Sequence, residues 1–123
     1  MTPAALVSIV EDDELVREAI ANLIRSIGWE VLSFDSAEAF LDSGAARRTR
    51  CLISDVTMPG MSGIAMHAHM LATGHAPPTI FITGYPSAQD ETVALANGAL
   101  AYLPKPVDSN VILAIVQQVI GPP

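Results

Sequence analysis

The chain of 123 residues is poor in cysteine, in basic side chains and in long apolar runs. Cys51 is the single cysteine, which excludes an internal disulfide and is compatible with a reducing cytoplasm. Six Lys and Arg stand against 13 Asp and Glu, and a net charge of −7 argues against direct nucleic-acid binding, because phosphate contacts need clustered basic residues. The apolar runs are too short to span a bilayer, and the N-terminus lacks the pattern of a signal peptide.

What the sequence has is the composition of one folded domain. Half of its residues are hydrophobic, so disorder is not expected, and the length suffices for a buried core. We expect a single domain over residues 1–123, with the start of a linker at 121–123. Arg47, Arg48 and Arg50 form the one basic cluster, and we expect them to lie on a solvated loop face.

Short apolar runs alternate with helical patterns along the chain. Strands are predicted at residues 6–10, 30–34, 51–54, 79–83 and 101–103. Helices are predicted from the N-cap Asp13 to Gly28, from Ser36 through Leu41, over 64–72, from Ser87 to about Asn97, and from Asp108 or Ser109 through about Ile120, with a polar loop at 42–50. Apolar strands separated by helices predict an α/β fold with a parallel sheet covered on both faces.

Chemically active side chains follow several of the predicted strands. Glu11 and Asp12 come directly after the first strand, and Asp55 comes after the third. Thr83 ends the fourth strand, and Lys105 follows the fifth. Because ligands collect beyond the carboxyl ends of parallel strands, we expect these five side chains to meet in one crevice.

Three carboxylates at close range repel one another unless a cation joins them. Oxygen ligands at an open site suit Mg²⁺. A divalent ion, a lysine and a hydroxyl around Asp55 are what phosphoryl transfer needs, because that chemistry is mainly positioning and neutralisation of charge. The sequence therefore predicts a magnesium-dependent phosphoryl-transfer site.

Four ordered motifs resemble the response-regulator receiver domains of two-component signalling, and in particular receivers of the FixJ type. The matching segments are residues 9–13 (IVEDD), 54–63 (SDVTMPGMSG), 81–84 (FITG) and 102–107 (YLPKPV). The spacing agrees as well: 43 residues lead from Asp12 to Asp55, 28 more to Thr83 and 22 more to Lys105. The resemblance covers essentially the whole chain and implies a doubly wound, CheY-like (flavodoxin-like) sheet of five parallel strands, order 2-1-3-4-5, with five helices.

The resemblance also implies roles for the acidic residues. Asp55 would accept a phosphoryl group, Asp12 would bind Mg²⁺ directly, and Glu11 would hold a metal-bound water. Thr57 would offer its backbone carbonyl to the ion. Glu11, Asp12 and Asp13 are consecutive, so the residues alone leave open which two face the metal; the family comparison favours the first two and leaves Asp13 as a helix cap.

Further roles concern the phosphoryl group and the switch. By resemblance, Lys105 and Thr83 contact the phosphoryl oxygens, and the ring of Tyr102 swings inward when the Thr83 hydroxyl moves towards them. The resemblance also implies a cis peptide bond between Lys105 and Pro106. None of these roles follows from composition or periodicity.

The expected partner is a histidine kinase or a histidine phosphotransfer protein that docks near the first helix, in the cytoplasm. The last predicted helix is apolar nearly all round, and such helices usually bury a second surface. We expect the face formed by the fourth helix, the fifth strand and the last helix to contact a second copy of the chain or a C-terminal output domain in transcriptional control. The domain would then be no enzyme beyond autophosphorylation and slow autodephosphorylation.

Two other functions deserve comparison. A stand-alone or degenerate receiver could act as a protein-binding module or a phosphate sink, and failure to label with acetyl phosphate would support the degenerate form. A small Mg²⁺-dependent aspartyl phosphohydrolase would turn over phosphate esters. Against the hydrolase, the chain has no cap segment, and position 57 is Thr where such enzymes carry a second aspartate.

The remaining notable side chains have structural explanations. His67, His69 and His75 do not form a metal site, because the first two lie on different faces of a helix, and we expect solvated or loop positions for them. Cys51 opens a buried strand and is expected in the core. Met58 and Met61 are expected to pack locally.

Overall fold

The computed structural model describes residues 5–122 and contains five strands and five α-helices in alternation. The strands are β1 (Leu6–Val10), β2 (Glu30–Phe34), β3 (Cys51–Asp55), β4 (Thr79–Thr83) and β5 (Ala101–Pro104). The helices are α1 (Glu14–Ile27), α2 (Ala37–Ser43), α3 (Gly63–Thr73), α4 (Ala88–Ala96) and α5 (Ser109–Ile120). All pairings are parallel, in the order β2-β1-β3-β4-β5, so the predicted doubly wound fold is confirmed. Of the predicted linker, Pro123 lies outside the described residues.

Local capping chemistry sets where the helices begin. Asp13 caps α1, and its Oδ1 accepts hydrogen bonds from the backbone N–H groups of Leu15 and Val16 at 2.9 and 3.2 Å. Asp108, and not Ser109, caps α5. Each cap satisfies backbone donors that the first helical turn leaves without an intrahelical partner.

The predicted polar loop over residues 42–50 is wrong in its first half. Helix α2 continues to Ser43 and ends at Gly44, whose φ of 72° is the left-handed conformation that glycine adopts readily. A 3₁₀ turn at Ala45–Arg47 follows. Buried Thr49 fixes this turn, because its hydroxyl donates to the Ala45 carbonyl at 2.7 Å.

Two strands are one residue longer than predicted. Asp55 pairs with Ile82 and is the last residue of β3, not the first residue of the loop. Pro104 pairs with Thr83 and extends β5. The acidic side chain of Asp55 is therefore held by the sheet itself.

Alternate residues of the central strands supply two cores, because successive side chains of a strand point to opposite faces. On the α1 and α5 side, Ile9, Ile53 and Ile82 pack with apolar residues of both helices. On the other side, Leu52 packs with α2 and α3, and Phe81 packs with α4. Strands β1, β3 and β4 are buried along their whole length.

Several expectations about single residues hold. Cys51 is fully buried, and burial raises the pKa of its thiol to about 12. Arg47, Arg48 and Arg50 are exposed. Met58 is buried in the core between the sheet and helices α2 and α3, and Met61 packs against it. Within residues 5–122, no helix has the length and apolar character that crossing a bilayer requires.

Gly63, at the start of α3, lies against the backbone of Asp55. A Cβ at Gly63 would lie 2.1 Å from the Asp55 carbonyl oxygen and 2.9 Å from the Ser54 Oγ. We expect Gly63→Ala to lower the free energy of unfolding by about 1–3 kcal/mol, because backbone must shift to admit the methyl group. Urea titration measures this loss.

Gly84→Ala is the matched control. A Cβ at Gly84 meets no atom within 4 Å, so its unfolding free energy should stay within about 0.5 kcal/mol of wild type. Equal stabilities of the two variants would contradict the close packing of α3 on the end of β3.

Candidate functional site

The candidate site lies at the carboxyl edge of the sheet, where the winding direction reverses. Strand β1 pairs with β2 on one side and with β3 on the other, so the crossovers leave in opposite directions from this point. Glu11 and Asp12 follow β1, and Asp55 ends β3. The reversal therefore places these acids at the adjoining ends of two neighbouring strands.

One lysine joins two of the acids. Lys105 Nζ lies 2.5 Å from Glu11 Oε1 and 2.9 Å from Asp55 Oδ2. These contacts span 94 and 50 residues, so they depend on the complete sheet. Of the five side chains predicted to meet in one crevice, these contacts bring together Glu11, Asp55 and Lys105.

Burial makes this cluster electrostatically demanding. Glu11 is fully buried and Asp55 is 4% exposed, and among residues 5–122 Lys105 is the one cation that contacts both. Burial is the main cause that raises the pKa of Glu11 to about 8, and the neighbouring Asp55 carboxyl group raises it further. Lys105 acts in the opposite direction and lowers it. Burial alone would lower the pKa of Lys105, but its hydrogen bonds to the two acids outweigh burial and raise it. When both acids are ionised, their two negative charges exceed the single positive charge of Lys105.

The same residues suit a divalent cation. Glu11, Asp12 and Asp55 each offer a carboxylate oxygen, and these oxygens lie within 4.8 Å of one another. The buried Glu11 Oε2 has no hydrogen-bond partner among the described residues, which is costly unless a cation or a water reaches it. Hard oxygen ligands with one exposed member, Asp12, fit Mg²⁺ with retained waters.

Three side-chain contacts that the sequence did not reveal hold the strand ends in place. Arg17 Nη1 donates to the Glu11 carbonyl oxygen at 2.8 Å. Ser54 Oγ, which is buried, donates to the Asp55 carbonyl oxygen at 2.9 Å. Glu38, on α2, accepts a hydrogen bond from the loop that follows Asp55. The residue types at these positions do not predict such hydrogen bonds, because each hydrogen bond depends on how the chain folds.

Thr57 contacts Asp55 through its backbone. Its N–H donates to Asp55 Oδ1 at 3.2 Å, and the side chain of Thr57 is exposed. Together with Lys105 on Oδ2, this bond fixes both oxygens of the Asp55 carboxylate.

Thr83 and Tyr102 are both buried and lie on neighbouring strands. The Thr83 hydroxyl accepts a hydrogen bond from the Tyr85 N–H at 3.0 Å and makes no hydrogen bond to Asp55. The Tyr102 hydroxyl accepts one from the Ser87 N–H at 3.0 Å, and Tyr102 is 9% exposed. The Lys105–Pro106 peptide bond is cis.

The expectation of a solvated position for His67 is wrong. His67 is 3% exposed, and its ring packs edge-on against Phe81 with centroids 5.5 Å apart. It lies one turn from Met70 and Gly63 on the face of α3 that meets the sheet. Burial lowers its pKa, as expected for a neutral imidazole in the core. His69 and His75 are exposed.

The strand order and the alternation of strands and helices define a doubly wound domain of the CheY-like type. Residues 7–117 match the family described as the response regulator receiver domain, and the chain belongs to that family. The match includes β1 from Val7 onward, the other four strands in full, and the strand-end residues from Glu11 to Lys105.

Among curated proteins, the transcriptional regulatory protein FixJ of Azorhizobium caulinodans is 36% identical over 115 residues, which are 94% of this chain and 54% of that protein. Nodulation protein W of Bradyrhizobium diazoefficiens is 38% identical over 113 residues, 91% of this chain and 50% of its own length. The chain therefore spans about half the length of these relatives.

Among solved structures, the response regulator StyR has a TM-score of 0.88 at 37% identity, covering 95% of this chain and 59% of that one. The crystal structure of FixJ-N has a TM-score of 0.82 at 31% identity, covering 97% of this chain and 94% of that one.

The raised pKa of Glu11 predicts how stability depends on pH without metal. In the folded state Glu11 keeps its proton up to about pH 8, whereas in the unfolded chain it releases the proton near pH 4.5. The resulting contribution to folding stability is fully present below about pH 4.5 and is lost as the pH rises through about 8. Urea titrations in EDTA from about pH 5 to about pH 9 should show the decline, and Glu11→Gln should flatten it. The exposed control Glu30→Gln should keep the wild-type profile. Parallel profiles for wild type and Glu11→Gln would exclude a titrating Glu11.

Proposed function

We propose that this chain is the phospho-acceptor of a two-component pathway, in which Asp55 takes a phosphoryl group from a histidine kinase or a histidine phosphotransfer protein. The observation that carries the proposal is the position of Lys105 Nζ, 2.9 Å from Asp55 Oδ2 and in contact with Glu11. A fixed carboxylate with an ammonium group beside it, next to further acids, is an arrangement for neutralising an incoming anionic group. Membership of the receiver family supports the same role.

Mg²⁺ would be held by the Asp12 and Asp55 carboxylates and the Thr57 carbonyl, with Glu11 acting through a water. An ion held there would supply charge neutralisation for the transferred phosphoryl group. With the ion bound, Glu11 would contribute a buried negative charge, and Arg17 keeps the Glu11 backbone in place.

The reaction itself is a displacement at phosphorus. A carboxylate oxygen of Asp55 attacks, the new O–P bond forms, and the bond from phosphorus to the imidazole nitrogen of the donor breaks with its electron pair leaving on that nitrogen. The Thr57 N–H and Lys105 Nζ orient the carboxylate before attack. Lys105 is also placed to follow the charge onto the phosphoryl oxygens.

A groove beside Lys105 supports docking of the donor. It has a volume of about 510 Å³ and lies between α1 and the start of α5. Its lining is mainly apolar and includes Leu15, Val16, Ala19, Leu23, Pro106 and Val107. Leu15 is 80% exposed, which is unusual for a leucine and fits a surface that a partner helix covers.

The proposed switch uses the β4–α4 loop, residues 84–87. One end of the loop is bonded to the Thr83 hydroxyl and the other to the Tyr102 hydroxyl. Thr83 uses its oxygen as acceptor there, so its own proton can be donated to a phosphoryl oxygen. If Thr83 rotated towards the phosphoryl group, its hydroxyl would give up the hydrogen bond from the Tyr85 N–H. The loop would then move, and the equilibrium between positions of the Tyr102 ring would shift.

The output surface would be the face formed by α4, β5 and α5. Val93 and Leu95 on α4, Leu100 just before β5 and Val111 on α5 are each at least 40% exposed. We propose that phosphorylation favours a homodimer through this face, or contact with a C-terminal output domain. The FixJ relative is a transcriptional regulatory protein, which supports a role in transcriptional control. The buried thiol of Cys51 fits a cytoplasmic setting.

Phosphorylation at Asp55 is the first test. Wild-type protein incubated with acetyl phosphate and Mg²⁺ should gain the mass of one phosphoryl group by intact mass spectrometry, and Asp55→Asn should gain none, because the amide is not a nucleophile for this transfer. Asp42→Asn, an exposed acid on α2, is the matched control and should label like wild type. Labelling of Asp55→Asn to the wild-type level would refute the acceptor assignment, and EDTA should abolish labelling.

The coupling of Thr83 to the output face is tested by separating labelling from assembly. Thr83→Val removes the hydroxyl at nearly constant shape, whereas Thr83→Ser keeps it. We expect both variants to label with acetyl phosphate, but only wild type and Thr83→Ser to shift towards dimer in size-exclusion chromatography. A labelled Thr83→Val protein that dimerises like wild type would show that the hydroxyl does not transmit the signal.

A further inference from the structure

The loop that follows the acceptor strand, residues 56–62, is contacted from outside by an acid of α2. Glu38 lies in the first turn of α2 and is exposed. Its Oε2 accepts a hydrogen bond from the Met61 N–H at 3.2 Å, a contact that spans 23 residues of sequence. Neither the motif at 54–63 nor the proposed chemistry uses Glu38.

Gly60 brings the loop close enough for this contact. Its φ of 78° lies in the left-handed region, and a Cβ there would meet Glu38 Oε2 at 2.4 Å and Cδ at 3.3 Å. The carboxylate therefore occupies the space in which any side chain at position 60 would lie. Glycine is favoured twice, by the backbone conformation and by the close approach of Glu38.

The rest of the loop is fixed near its base. The Gly63 N–H donates to the Val56 carbonyl at 2.9 Å, and the Thr57 N–H donates to Asp55 Oδ1 at 3.2 Å. Between these points, Met58 is buried against the core, while the tip at Gly60 and Met61 meets Glu38. Glu38 thus provides a polar contact between the tip of the loop and α2.

We propose that Glu38 is a positioning residue for the acceptor site: it holds the loop so that the Thr57 carbonyl stays directed for Mg²⁺ and the Thr57 N–H stays on Asp55. This inference rests on the proposed function, because the metal role of Thr57 belongs to it. Glu38 makes no hydrogen bond to Asp55, so its effect is on loop geometry and, through that, on metal affinity.

Three variants separate geometry from charge. Glu38→Ala removes both the acceptor and the charge, whereas Glu38→Gln removes the charge and keeps an oxygen that can accept from the Met61 N–H. Glu91→Ala is the matched control, because Glu91 is also an exposed acid in the first turn of a helix and its loss changes net charge equally. Mg²⁺ affinity is measured by calorimetry, and the Met61 amide by NMR in metal-free protein.

We expect Glu38→Ala to weaken Mg²⁺ binding by about 2- to 10-fold, the effect of losing one hydrogen bond, and Glu38→Gln to restore most of the affinity. The Met61 amide proton should shift upfield in Glu38→Ala and stay near its wild-type position in Glu38→Gln. Glu91→Ala should leave both quantities at wild-type values.

Other outcomes overturn the inference in distinguishable ways. Equal losses in Glu38→Ala and Glu38→Gln would mean that Glu38 acts through its charge. A shifted Met61 amide with unchanged Mg²⁺ affinity would mean that the contact does not position the site, while labelling of Asp55 could still succeed. Wild-type protein that binds no Mg²⁺ would refute the metal role itself, and the proposed function with it.

Discussion

A single ammonium group lies between two carboxylates at the edge of the sheet, and the site depends on that unequal count. Lys105 contacts Glu11 and Asp55, both almost entirely removed from water, and Asp12 stands beside them. One positive charge cannot balance two buried negative ones, so either a proton on Glu11 or a divalent ion must complete the balance. The charge balance of this edge therefore favours uptake of a cation.

The sheet holds this arrangement together because three different strands deliver its members. Glu11 follows β1, Asp55 ends β3, and Lys105 follows β5. The central strands are buried on both faces, so the strand ends have little freedom to move apart. The mobile elements of the proposed switch lie in the next layer outward, in the loop between β4 and α4. The acidic residues are therefore held at the ends of buried strands, whereas the Thr83 hydroxyl of the proposed switch contacts the loop between β4 and α4.

Much of this could be predicted from the sequence because its signals are local. Strands β1, β2 and β4 have the predicted bounds, and Asp13, Ser36 and Ser87 cap the helices as expected, since short apolar runs and caps are properties of neighbouring residues. Bringing Glu11, Asp55 and Lys105 together needed only the rule that parallel strands end at the same edge.

The failures share a physical cause, which is dependence on packing between distant segments. His67 is buried although histidine is polar, and α3 carries apolar residues on several sides, so its sequence does not reveal which face meets the sheet. The turn at Ala45–Arg47 forms because Thr49 is buried beneath it. The hydrogen bond from Arg17 to the Glu11 carbonyl could not be predicted, because both residue types also occur at solvent-exposed positions.

The position of Cys51 has a practical consequence for following the domain in solution. Its sulfur is enclosed by the core, and a thiol with a pKa of about 12 holds almost no thiolate at neutral pH, which is the form that reacts with alkylating dyes. A cysteine introduced on the surface would therefore be the one thiol open to labelling, with no need to replace the natural residue. Fluorescent or spin labels can be placed on α4 or α5 without altering the strand that carries Asp55.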